Sequence, residues 1–171
     1  KVQGNIVDIL MPPLAAGELL AGLAAGGMTR GIAVGIVAAI ALGALGDIGL
    51  PAAPFAAICF LVLGSLALSF AGILAGVWAN KFDEMAAITN FVIQPLAFLS
   101  GTFYSVDRLP PPFDLVATLN PVFYAIDGFR FGLIGVADRP VVTGLLVLIL
   151  VNLALGALCY RVLASGFRLK S

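Results

Sequence analysis

Apolar residues run through this chain in four long stretches, at about residues 28–50, 54–79, 85–104 and 141–162. A helix needs about 20 apolar residues to cross a bilayer, and each stretch is long enough. The breaks between them are short and polar or turn-forming. Residues 46–53 read GDIGLPAA, and Asn80–Glu84 read NKFDE. Residues 1–20 fit no span, because Asp8 interrupts the apolar run and Pro12-Pro13 stops any helix. They predict a cytoplasmic surface segment over residues 1–16, with a short surface helix before the prolines, then a turn and a new helix start near Ala15–Glu18. Glu18 in a first helical turn suits the positive end of the helix dipole. The predicted fold is all-α: one polytopic transmembrane domain with four spans, the surface helix, and short external re-entrant helices before the last span.

Residues 90–139 carry the most information. Asn90, Gln94, Ser100 and Thr102 make the third stretch the most polar of the four. Pro95 in its middle removes a backbone donor and predicts a kink. The helix either packs as a kinked helix or lines a pathway, with Asn90, Gln94, Pro95, Gly101, Phe103 and Tyr104 as the pathway or gate residues. Asn90 and Gln94 equally suit bonds to neighbouring helices, and Gly101 suits a turn. The chain then passes Leu109 and Pro110–Pro112 and breaks again at Asn120-Pro121. Residues 105–140 therefore reach the last span without a full crossing. Broken backbone at membrane depth survives only where protein or a watery cavity shields it. Asn120 can cap a helix that begins at Pro121. Tyr124, Gly128 and several phenylalanines fall on that helix. Asp127 and Arg130, three apart, can pair.

Small residues mark the other contacts. Gly22 and Gly26, and then Gly27, Gly31 and Gly35, recur at four-residue spacing, which brings membrane helices close. Ser65, Ser69, Gly72 and Gly76 continue the pattern, and Trp78 ends its run as an interfacial anchor. If Gly31–Leu50 forms the span, Arg30 lies near its end and snorkels to the headgroups. The other reading is a charge that lines a pathway.

Composition sharpens this picture. The chain is 61% hydrophobic and 11% charged, with no net charge, and its mean hydropathy is +1.13. Soluble domains average roughly 45–50% apolar and 25% charged. Zero net charge suggests no nucleic-acid partner. The absence of histidine removes histidine acid–base catalysis and most zinc sites. Cys59 and Cys159 lie in separate apolar runs and read as packing residues. Four spans put both ends on one side, with Lys1, Arg30, Lys81, Arg161, Arg168 and Lys170 there and Arg108, Arg130 and Arg139 opposite. The positive-inside rule then makes both ends cytoplasmic, the 163–171 tail included. A start at Lys1 without a signal-peptide pattern predicts a part of a longer protein.

The wording FLSGTFYS, then LP, LNP and IDG-F-R, resembles the last part of the membrane subunit of type-2 ATP-binding-cassette exporters. This is the bacterial permease group for drugs, nodulation factors and polysaccharides, and the drug-export-like permeases are most similar. The resemblance covers nearly the whole chain. It implies six spans, of which the first two are missing here, in a subunit of the bacterial inner membrane. It also implies a second copy of the permease and a separate ATPase subunit. Gly4, Asp8, Leu10, Pro12 and Glu18 match the segment that docks on the ATPase, although Asp8 and Glu18 also suit plain surface charges. Leu109, Pro110, Asn120, Pro121, Tyr124, Asp127, Gly128 and Arg130 match the external helices. No G-x-x-x-x-G-K-[ST] phosphate loop occurs, so no cofactor is expected on this chain, and ATP and Mg belong to the partner.

The function expected is alternating-access export of a hydrophobic or amphipathic substrate, with no catalysis by this chain itself. The low polarity of the spans argues against a highly anionic sugar. A non-transporting membrane scaffold or assembly protein is the alternative. An intramembrane protease is opposed by the missing histidine and by aspartates that all lie outside the apolar cores. A channel is opposed by the lack of a charge ring or filter motif.

Overall fold

The computed structural model describes residues 15–45, 51–101 and 113–166, and these are helical, with no strand among them. Helix α1 is Ala16–Leu45, α2 is Pro54–Trp78 and α3 is Phe82–Ile88. A π-helical turn, Thr89–Ile93, joins α3 to α4, Gln94–Phe98. Then come α5 at Phe113–Leu119, α6 at Pro121–Ile134 and α7 at Val141–Ser165. Helices α1, α2 and α7 are long and apolar enough to cross a membrane. The expected surface segment up to Leu14 lies outside the described residues.

Local chemistry explains the ends. Ahead of α1 the Ala15 amide donates to Glu18 Oε2 at 2.9 Å, the returning half of a capping box. Helix α2 begins with Pro54, whose missing N–H costs nothing in a first turn. Helix α7 ends at Gly166, in the left-handed region with φ 64°.

Two expectations shift. Helix α1 starts at Ala16, and its apolar span covers Ala16–Ala41 rather than starting near residue 28. Arg30 therefore lies mid-helix, not near an end. The third stretch is three short pieces covering 82–98, followed by a turn at Ser100-Gly101. Its length, about 25 Å at 1.5 Å per residue, falls below the roughly 30 Å of a bilayer core. The cause is Pro95. Without its donor the ladder slips, and the Gln94 amide reaches back to the Thr89 carbonyl.

Helix α2 is the centre, packed against α1, α6 and α7. Its apolar span is 28% buried against 6% for that of α1, so α1 presents most of its surface outward. The α1–α2 contact uses the predicted spacing, with Gly27 against Ser69, Gly31 against Ser65 and Gly35 against Leu61. A Cβ on Gly31 would sit 2.6 Å from Ser65 Oγ. Ser69 Oγ also donates to the Ala24 carbonyl at 3.2 Å. Gly22 and Gly26 face open space instead. Between α2 and α7, Asn152 donates to the Leu63 carbonyl at 3.1 Å, and Cys159 is buried against Phe70.

Candidate functional site

Asn120 builds the start of α6. Its side-chain oxygen accepts from the Val122 amide at 3.0 Å, and Pro121 follows as the first helical residue. Its side-chain nitrogen donates to the Leu96 carbonyl at 2.6 Å. That carbonyl is available because α4 ends there. The Leu99 amide bonds Pro95 and the Ser100 amide bonds Ala97, so neither takes Leu96. Gly101, at φ 74°, makes the turn that follows.

Helix α6 runs antiparallel to α2 along half its length. Ala125 meets Gly64, Gly128 lies on the Phe60 ring, and Gly132 lies on the Ala57 backbone. Gly64 is ten residues past Pro54, about 15 Å along the helix, or half of a bilayer core. The helix pair α5–α6 thus turns at Asn120, level with the middle of α2. Two backbone bonds, Ala52 to Leu133 and Ala53 to Gly132, fasten the outer end of α6 to the start of α2. Gly135, at φ 75°, then closes α6.

At that outer end the Asp127–Arg130 pair is larger than its sequence spacing showed. Arg130 contacts Asp127 at 2.5 Å and Asp138 at 2.9 Å. Asp127 also accepts the backbone amides of Asp138 and Arg139, at 2.8 and 3.1 Å. One buried carboxylate therefore ties α6 to the segment that starts α7. Burial lowers the Arg130 pKa, but the hydrogen bond and charge of Asp138, with those of Asp127, raise it by more. The guanidinium keeps its charge at every working pH.

Beside α6 an open groove of about 1020 Å³ lies between α1, α2 and α6. Its wall is apolar, from Leu19 to Val34 on one side and Val122 to Phe129 on the other. Ser65 and Ser69 add hydroxyls, and among the described residues Arg30 is the single charged side chain of the wall. Ser65 and Ser69 sit near the middle of α2, opposite Gly31 and Gly27, so Arg30 lies near the middle of α1 and level with the middle of α2. A lone guanidinium there costs about 2.5–3.5 kcal/mol on insertion scales. Snorkelling from a helix end does not describe this position. The sequence did hold the signal: residues 26, 27, 33 and 34, three and four away on the helix, include no acid.

Other expected residues separate. Asn90, Gln94 and Pro95 are exposed and are not in the groove wall, to which this helix gives Ala97. Tyr124 is half-buried, edge-on to Phe123 at 5.0 Å. Glu18 caps α1. Gly4, Asp8, Leu10, Pro12, Phe103, Tyr104, Leu109 and Pro110 lie outside the described residues.

Among the described residues, three helices long and apolar enough to cross a membrane, a helix pair turned at Asn120 and an apolar groove beside it make up a helical membrane protein. Residues 1–134 match the family described as ABC-2 type transporter, and the chain belongs to that family. It is similar to the inner membrane transport permease YadH of Escherichia coli K12, 38% identical over 100% of this chain and 66% of YadH. Nodulation protein J of Rhizobium leguminosarum bv. viciae is 33% identical over 74% of this chain and 49% of its own length. Nodulation protein J of Rhizobium meliloti strain 1021 is 32% identical over 92% and 52%. The chain thus spans about two thirds of YadH and half of the nodulation proteins. No solved structure matches it. The resemblance read from the LNP and IDG wording holds. The ABC-2 permease domain does not hydrolyse ATP itself, and permeases of this kind pair with ATPase subunits.

Proposed function

We propose that this chain is the pathway-forming part of an exporter, moving a hydrophobic or amphipathic molecule, drug-like or lipid-like, out across the bacterial inner membrane. The observation that carries this is the groove, apolar apart from Arg30, Ser65 and Ser69 and walled on one side by α6. Such a groove suits a cargo that enters sideways from the lipid. The whole subunit works as two copies, each with an ATPase subunit that binds ATP and Mg. Both ends of this chain face the cytoplasm, Met85–Tyr104 completes a fourth crossing with its partners, and the Asn120 turn opens from the outside. ATP closure of the ATPase pair moves the segment around Gly4, Asp8, Leu10 and Pro12. That movement biases the helices between inward-open and outward-open packings.

Co-purification tests this with the full-length protein in nanodiscs. A stoichiometric ATPase is expected, and Asp8→Lys is expected to release it. Glu18→Gln keeps an oxygen for the Ala15 amide and so separates docking from capping. A well-folded permease that brings no ATPase overturns the exporter reading in favour of a membrane scaffold.

A further inference from the structure

We infer that the groove takes an amphiphile carrying a single anionic head group, bound by Arg30 at mid-depth. The inference rests on the exporter reading and names the cargo class for the same groove. It starts from an imbalance. Arg130 is paired with Asp127 and Asp138, at the far end of α6. Among the described residues the groove wall includes no acidic side chain. Arg30 is exposed into this space, with Gly27 and Gly31 on either side of it along α1. Those glycines hold α1 against Ser69 and Ser65, so Arg30 and the two hydroxyls line the same groove.

A cation at this depth needs an anion or water. An anionic head group meets that need with charge-assisted, bidentate bonds, and an alkyl or aromatic tail covers Leu19, Leu23, Leu68 and Ile73. A neutral tail alone leaves the guanidinium unpaired in an apolar space. A cationic amphiphile is repelled. A polyanionic sugar brings charges for which the wall has no further cation. The volume, about 1020 Å³, stands at the upper end of small-molecule sites, roughly 300–1,000 Å³.

The test uses the full-length permease with its ATPase in nanodiscs of zwitterionic lipid. Leu68→Cys reports on the groove in a background where Cys59 and Cys159 are replaced by Ala. The probes are dodecyl phosphate, dodecanol and dodecyltrimethylammonium. Dodecyl phosphate is expected to protect the introduced thiol from a thiol reagent, and the other two are not. Arg30→Gln is expected to raise the protecting concentration at least about tenfold, and Arg30→Lys to raise it by less than that. Equal protection by the three probes overturns the inference, as does an Arg30→Gln protein that binds dodecyl phosphate unchanged. A thiol that is unreactive without any probe means that another segment or a second copy fills the groove, and this also overturns it. In a second set of nanodiscs that contain an anionic phospholipid, protection without any probe reassigns the groove to a structural lipid and overturns the inference. Should Arg30→Gln fail to assemble, the three-probe comparison on the Arg30 protein decides. Loss of the ATPase in co-purification strikes the exporter reading, whereas loss of head-group selectivity strikes only this inference.

Discussion

Asn120 and Leu96 are joined at 2.6 Å, side-chain amide to backbone carbonyl, so one residue closes the end of α4 and opens the start of α6. Asn120 is 3% exposed, so the bond lies largely away from solvent. Asn120→Ala removes a cap worth about 1 kcal/mol and strands a buried carbonyl at a cost of about 1–3 kcal/mol. Asn120→Ser keeps the cap but cannot serve both partners, and is expected to recover only part of the loss. Denaturant titration in detergent ranks the three proteins. Equal stability of the Ala and Ser variants contradicts the double role.

The Gly128–Phe60 contact allows α6 to lie flat on α2. Any Cβ on Gly128 enters the Phe60 ring, which is 2% exposed and cannot swing away. Gly128→Ala is expected to cost about 1–3 kcal/mol by overpacking. Shortening the neighbour with Phe60→Leu is expected to recover part of that in a double-mutant cycle, because the residues touch. Gly26→Ala faces open space and serves as the neutral control. Thermal midpoints of the four proteins test the contact.

Asp127 is expected to matter more than Asp138, though both touch Arg130. Asp127 also accepts two backbone amides and is the more buried, 5% against 10% exposed at the side chain. Asp127→Asn places an amide where two donors converge, and its cost is expected to exceed that of Asp138→Asn by about 1–2 kcal/mol. A proteolysis assay directed at residues 135–140 reads the release of this segment directly. Equal protection in both variants sinks the ranking.

What the sequence disclosed and what it hid divide along contact distance. The Asn120-Pro121 cap, the Asp127–Arg130 spacing and the Gly27–Gly31–Gly35 face are all local, and each appears in the structure. Asp138 as a second arm on Arg130 needs α6 to turn at Gly135 and come back, which no window of residues reports. Pro95 predicts a break, but the π turn that absorbs it depends on how the free carbonyl is shared. Arg30 shows the sharpest failure. An apolar stretch that begins after a charge reads as a span with that charge at its edge. Here α1 continues in both directions, because residues 16–29 are small and apolar enough to extend it.

Asn152 tests whether the middle of the bundle is held by polarity or by fit. It is 7% exposed, and its nitrogen donates to Leu63 on α2 and to Leu148 on its own helix, at 3.1 and 2.8 Å. Its side-chain oxygen finds no donor among the described residues. The interhelical bond is therefore offset by an unsatisfied acceptor in an apolar surrounding. Bonds of this kind in membrane bundles average about 0.6 kcal/mol and reach about 1.7. Asn152→Leu, with the same branching though a larger volume, removes the bond and the unpaired oxygen together and is expected to change stability by less than about 1 kcal/mol. Asn152→Ala removes the same groups but leaves a void beside Leu63, and is expected to cost more. A large loss in the Leu variant would mean that the oxygen has a partner in the full-length protein, and that mid-depth polarity, rather than fit, fixes α7 on α2.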